Sequence, residues 1–373
     1  MSSKRITGCA TEEGTQKYKA RFSDSVDPGH FRLHDGLWMS SIGMGSYLGE
    51  SDEATDRLYA EALPTAISLG INVFDSAINY RAQRSERAFG AALETLFASG
   101  AYAREELIVS TKGGFLPFDG SYPNDPLAYF KQTYVDTGLL KPEEIAQGCH
   151  AMTPSYLENQ LTQSLTNLRL ETIDTYYLHN PETQLGEIEC DEFLRRLSAA
   201  FDWLEKKVAE GKIRRYGVAT WNAFRVGRDS EEYVSLEELV VLAREAGGPD
   251  HHFKVVQLPF NLAMPEAWVL SNQSYGANLV PVLGMAKRLG LTVVGSAALL
   301  QAGLLGLFPD ALEGYFKNLE KPAQRCLQFA RSVPGIATAL VGMKNEEHVR
   351  ENAQAAHVPP LTEQDLILMF QQS

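Results

Sequence analysis

Cysteine is scarce in this chain: Cys9, Cys149, Cys190 and Cys326 are the only four in 373 residues, and they lie far apart. No two stand at the close spacing of a metal site, and no disulfide framework is implied, so free thiols in a reducing, cytoplasmic compartment are the expectation. Long apolar runs are also missing. None approaches the roughly 20 residues that span a bilayer, and no apolar stretch follows Met1-Ser2-Ser3-Lys4-Arg5 as a signal peptide would require. Clustered basic residues are absent too, and the formal net charge is −13. That balance argues against nucleic acid and anionic membrane as partners, and it means that any anionic ligand needs locally placed positive groups. The glycine fingerprint of a doubly wound dinucleotide-binding unit does not occur between a strand and a helix. Internal repeats and low-complexity tracts are lacking.

What remains is the composition of a globular chain, 44% apolar and 22% charged, with ample material for a core. Strand-like runs fall at 39–44, 71–75, 107–111, 173–178, 213–219, 253–258, 291–296 and 336–341. Amphipathic segments alternate with them near 53–69, 84–98, 153–169, 191–210, 235–246, 278–289, 322–331 and 345–355. The helical spacing is clear in Leu194, Leu197, Phe201, Leu204 and Val208. Eight strand–helix units fit an α/β fold of the (β/α)8 TIM-barrel type better than an open sheet, with 1–373 as one domain. Two stretches fall outside the pattern. Residues 1–38 are polar and read as an extended arm or a hairpin closing the barrel floor. Residues 113–152, rich in aromatics and prolines, form a long connection after the third strand. A loop of that length is seldom idle. It is expected to lie over the barrel mouth as a lid or pocket wall, or to pack as an excursion on the barrel surface.

Four residues sit at or just past strand ends: Asp75 after Ile71-Asn72-Val73-Phe74, Tyr80 five residues on, Lys112 after Leu107-Ile108-Val109-Ser110-Thr111, and His179 after Ile173-Asp174-Thr175-Tyr176-Tyr177-Leu178. Catalytic groups of this barrel type gather at the C-terminal ends of its strands. Each of the four has a plainer explanation when taken alone. Asp75 could cap a helix, Tyr80 could bridge surface and core, Lys112 could be solvated, and His179, before Asn180-Pro181, could sit in a turn. Their joint occurrence on three consecutive strand ends favours a proton-transfer site.

The chain resembles the aldo-keto reductase superfamily. The likeness is carried by Gly70-Ile71-Asn72-Val73-Phe74-Asp75-Ser76-Ala77-Ile78-Asn79-Tyr80, Arg84-Ser85-Glu86 with Phe89-Gly90, Val109-Ser110-Thr111-Lys112 and Tyr176-Tyr177-Leu178-His179-Asn180-Pro181-Glu182. Further motifs follow in Ile213–Val218, Gln257–Asn261, Gly342-Met343-Lys344 and Glu351-Asn352. They run in the family's order from about residue 36 to 357. The resemblance implies a (β/α)8 barrel that binds NADPH and reduces a small-molecule carbonyl, with Asp75, Tyr80, Lys112 and His179 as the catalytic set.

In that setting the roles follow from chemistry. Hydride addition leaves an alkoxide that must be protonated or stabilised. A phenol is a poor acid near neutrality, with an unperturbed pKa of about 10, and the ammonium of Lys112 would favour its ionised form. Asp75 would anchor Lys112, and His179 would donate to the substrate oxygen. Side chains perform no hydride chemistry of their own, and no flavin motif or metal cluster stands out, so a nicotinamide is implied. Its expected contacts are Gly45, Ser46 and Tyr47 after the first strand, Thr220 after the fifth, Gln257 at the sixth, Ser296 after the seventh, and Gly342, Lys344, His348 and Asn352 around the eighth, the usual phosphate end of this barrel. Lys344 favours NADPH, with NADH as the alternative. The family's Ser-Asn after the fifth strand is replaced by Ala219-Thr220 and then Trp221-Asn222. Phe115 and Trp221 are the expected substrate-pocket walls. The same residues allow two other readings: an NAD(P)-dependent dehydrogenase of a sugar or other alcohol, and a nicotinamide-binding regulatory protein without turnover.

Overall fold

A computed structural model describes residues 5–371. Eight parallel strands close into a barrel: Ile42–Gly45, Val73–Asp75, Ile108–Gly113, Ile173–His179, Ile213–Ala219, Phe253–Pro259, Thr292–Ser296 and Ile336–Gly342. Neighbours in sequence pair in parallel, and the eighth strand pairs with the first through Ala339–Gly342 and Ile42–Gly45. The (β/α)8 expectation therefore holds.

The reason lies in burial. These strands are short and buried on both faces, as parallel strands under helices must be. One face fills the barrel with Val73, Ile108, Tyr177, Val255, Val294 and Leu340, and the other packs against the helices. The helix Cys190–Ala209 turns Phe193, Leu197, Ala200, Phe201 and Leu204 inward, the stripe that its 3.6-residue period prescribes.

Beyond shifts of one or two residues at element ends, two segments differ in kind from the sequence reading. The run 39–44 is split. Leu37–Ser40 belongs to an antiparallel hairpin with Phe31–His34, and the barrel strand begins only at Ile42. The apolar alternation changes phase across Ser40-Ser41, from Leu37 and Met39 to Ile42 and Met44, and the break falls where that phase shifts. The segment 278–289 is likewise not all helix. Asn278–Pro281 pairs with Ser271–Tyr275 as a hairpin, and the helix is Val282–Arg288, starting after Pro281. Proline lacks the N–H a helix interior needs and favours the start.

The floor is closed by the N-terminal region, which holds a helix, Glu12–Ala20, besides the expected hairpin. Leu37 and Met39 of the hairpin join the barrel-interior cluster. At its turn, Asp35 accepts a hydrogen bond from Arg215 at 2.8 Å. Asp174 accepts from the Ala10 amide at 2.5 Å and from Arg104 at 2.6 Å. These bonds seal the end opposite the site.

Candidate active site

Asp75 is the last residue of the second strand and His179 the last of the fourth, while Lys112 lies within the third, one residue before its end. Residues two apart on a strand share a face, so Ser110 and Lys112 both project into the barrel. The Lys112 ammonium pairs with Asp75 Oδ1 and donates to the Ser76 carbonyl at 2.8 Å. Asp75 Oδ2 accepts from Ser110 Oγ at 2.8 Å and from Gln257 Nε2 at 2.9 Å. Every acceptor of this buried carboxylate is thus occupied, as burial of a charge demands. Gln257, on the sixth strand, reaches across the barrel bore to donate one side-chain N–H to Asp75 on the second.

Tyr80 stands over this pair, with Lys112 Nζ 4.8 Å from its ring centroid. Its ring meets those of His179 at 5.7 Å and Tyr47 at 5.0 Å, both edge-on. Burial pushes the Tyr80 phenol above its ordinary value of 10.0, and the Lys112 charge pulls against that shift. The phenol therefore carries its proton at neutral pH. The sequence reading placed the emphasis on a lowered pKa; in the barrel mouth, desolvation of the phenolate outweighs the nearby ammonium. For Lys112, burial works against the charge, but Asp75 and Tyr80 more than restore it, so the ammonium persists. Burial first, and then Lys112, hold His179 well below 6.5, so its ring is neutral.

Tyr80, Asp75 and His179 line a cavity of about 840 Å³. Lys112 lies behind Tyr80 and does not reach the cavity surface. Gly45, Ser46, Tyr47, Thr220, Gln257, Ser296, Gly342, Lys344, His348 and Asn352 all line the same cavity, as do Phe115 and Trp221. Tyr47 is 53% and Trp221 38% exposed, unusual for large aromatics away from an interface. Among the described residues lining the cavity, four side-chain atoms, Asn79 Oδ1, His179 Nδ1, Thr220 Oγ1 and Asn352 Oδ1, are buried without a hydrogen-bond partner. Lys344 makes no salt bridge among the described residues. The N-terminus of the helix Glu346–Ala353 is occupied by its own cap, Asn345, which accepts from the Glu347 amide at 3.0 Å.

The connection 113–152 is not a structureless lid. It folds into short helical turns around Leu116, Phe130, Tyr134 and Leu140, with Phe118 stacked on Phe130 at 4.7 Å. Phe115 is its one residue lining the cavity. It is thus a packed excursion that contributes a single wall.

Three residues near the site escaped the sequence reading. Ser110 was legible, since it shares the inward face with Lys112. Glu182 accepts from the Trp221 and Asn222 amides at 2.7 and 3.1 Å and so holds the Trp221 wall. His150 donates to the His179 carbonyl at 2.8 Å, across a separation no local pattern reveals.

The family model described as Aldo/keto reductase family matches residues 41–235. An uncharacterized oxidoreductase, YqkF of Bacillus subtilis, is 27% identical over 342 residues, 88% of this chain and 91% of that protein. A putative voltage-gated potassium channel subunit beta of Schizosaccharomyces pombe is 24% identical over 352 residues, 88% of each. Among solved structures, an aldo-keto reductase from Klebsiella pneumoniae in complex with NADPH has a TM-score of 0.62 at 21% identity, covering 91% of this chain and 93% of that one. That likeness establishes the fold.

Proposed function

The chain belongs to the aldo/keto reductase family, and on that footing we propose that it reduces an aldehyde or ketone to an alcohol with NADPH, Tyr80 giving the proton. The observation that carries this reading is a protonated phenol backed by a buried ammonium, opening into a cavity that also holds the orphaned polar atoms of Thr220 and Asn352. When bound, NADPH supplies the hydride. As negative charge grows on the carbonyl oxygen, Tyr80 donates to it, and Lys112 lowers the cost of the phenolate left behind. Asp75 keeps Lys112 in place. The neutral ring of His179 offers an N–H to the same oxygen. Tyr47, Phe115 and Trp221 exclude water and suit a bulky or aromatic carbonyl. Thr220 Oγ1 and Asn352 Oδ1 are suited to the polar edges of the dinucleotide, and Lys344 with His348 to a 2′-phosphate.

The test is loss of reduced-nicotinamide absorbance with a panel of carbonyls. Replacing Tyr80 with Phe is expected to lower kcat/KM by about 10²–10⁴, the range of a lost general acid. Equal activity of the two proteins would remove Tyr80 from the mechanism. The likeness to a putative channel subunit supports a second reading, a nicotinamide-binding regulator without turnover. Tight NADPH binding with no reduction of any carbonyl would favour it.

A further inference from the structure

A buried histidine that the reductase mechanism does not use ties the long connection to the site. His150 is 1% exposed. Its Nε2 donates to the His179 carbonyl at 2.8 Å, and its Nδ1 accepts from Gln184 Nε2 at 2.9 Å. That second bond sets the tautomer, with the proton on Nε2. Gln184 is itself oriented by Arg196, which donates to its Oε1 at 2.5 Å. Phe115 stands edge-on between the two imidazoles, 5.2 Å from His150 and 5.0 Å from His179. The neck of the connection is closed at the same level: Leu116 N donates to Cys149 O at 2.8 Å and Ala151 N to Gly114 O at 3.0 Å.

We propose that His150 is a positioning residue: it pins the 113–152 segment to the backbone of His179, so that Phe115 is a fixed pocket wall and the His179 ring stays aimed at the substrate oxygen. The inference rests on the reductase reading, because the histidine it serves has its role there. Its physical basis is convergence. One imidazole satisfies the carbonyl of the proposed oxygen-binding residue, packs the aromatic wall and receives a bond from the neighbouring segment 181–186. The connection therefore acts as a brace and not as a moving cover, and substrate shape is selected against a wall that does not yield.

The experiment compares wild type, His150→Leu and His150→Gln in carbonyl reduction, in NADPH affinity and in hydrogen exchange of the neck amides. Leucine keeps apolar volume and removes both bonds. Glutamine keeps one donor and one acceptor. His150→Leu is expected to lower kcat/KM tenfold or more, chiefly through kcat, with NADPH affinity within twofold of wild type and neck exchange at least tenfold faster. His150→Gln is expected to recover at least half of the lost activity. A loss under threefold in His150→Leu, or a His150→Gln variant as impaired as the leucine one, overturns the proposal. Should wild type reduce no carbonyl, the reductase reading falls by itself, and neck exchange alone then decides: unchanged exchange in His150→Leu overturns the brace. If His150→Leu does not fold, Gln184→Met, which removes the donor to Nδ1 together with the bonds of Gln184 to the His150 carbonyl and to Arg196, carries the test. At least a twofold loss of kcat with faster neck exchange supports the proposal, and a smaller effect overturns it.

Discussion

At the scale of single residues, the site is organised around a carboxylate rather than around the phenol. Asp75 accepts from Lys112, Ser110 and Gln257 and is left with no unsatisfied oxygen. Asp75, held in place by these bonds, in turn helps keep Lys112 charged against its burial. Replacing Ser110 with Ala removes one of these bonds. A hydrogen bond to a charged group is worth about 1.5–3 kcal/mol, and the remaining two donors retain part of that. We expect kcat to fall about fivefold, equivalent to about 1 kcal/mol, with NADPH affinity unchanged; steady-state kinetics and a binding titration check both. Lys344 acts at the other end of the cavity. Its replacement by Ala is expected to raise the KM for NADPH about tenfold while leaving that for NADH within twofold, because only the former carries the extra phosphate. Equal effects on the two cofactors would place Lys344 away from that phosphate.

At the scale of elements, turns carry the strain and strands carry the precision. Directly after Tyr80 the chain makes three left-handed residues, Arg81, Ala82 and Gln83, with φ of 50, 53 and 69°. Left-handed backbone costs a non-glycine residue about 1–2 kcal/mol, and the surroundings hold it there. Arg81 donates to the Glu50 carbonyl at 2.7 Å and pairs with Asp56, while Gln83 donates to the Phe118 carbonyl at 3.0 Å. The turn that follows the proposed acid is thus fastened to both the first-strand loop and the long connection. Gly114, at the neck of that connection, has φ +141°, and a Cβ there would stand 2.6 Å from His150 Nε2. Gly114→Ala is expected to destabilise the protein by about 1–3 kcal/mol and to lower kcat as well, which thermal unfolding and turnover together would register. Strand and helix positions were mostly legible because burial on both faces and the 3.6-residue stripe both leave a mark in sequence. The split at Ser40-Ser41 shows in sequence only as a one-residue change of phase, and the hairpin at 271–281 was not legible, because its pairing, and not its own periodicity, defines it.

At the scale of the whole molecule, the barrel separates a sealed floor from an open mouth, and buried histidines sit toward both. His30, bonded to Ser41 and to the Gly70 carbonyl near the floor, is pushed by burial down to about 3. Burial likewise pushes His150 down to about 4. A histidine whose folded value lies below its unfolded one stabilises the fold fully above pH 6.5. It loses that contribution as pH falls, because the unfolded chain binds the proton first. At pH 4.5 the expected loss is about 2–3 kcal/mol for each histidine. Denaturant unfolding between pH 7 and 4.5 should show it, and His30→Gln should flatten the dependence by about one histidine's share. A slope unchanged in that variant would mean that His30 is not held neutral in the fold.

The sequence by itself determined the barrel and the family, since eight strand–helix units and ordered motifs at strand ends are local signals repeated along the chain. It also singled out Asp75, Tyr80, Lys112 and His179, each next to a recognisable apolar run. Only the tertiary structure decided that Gln257 bonds Asp75, that the Tyr80 phenol is held above its ordinary pKa, and that His150 reaches the His179 carbonyl. Those facts depend on desolvation and on distances across the bore, and neither exists until strands far apart in the chain have closed on one another.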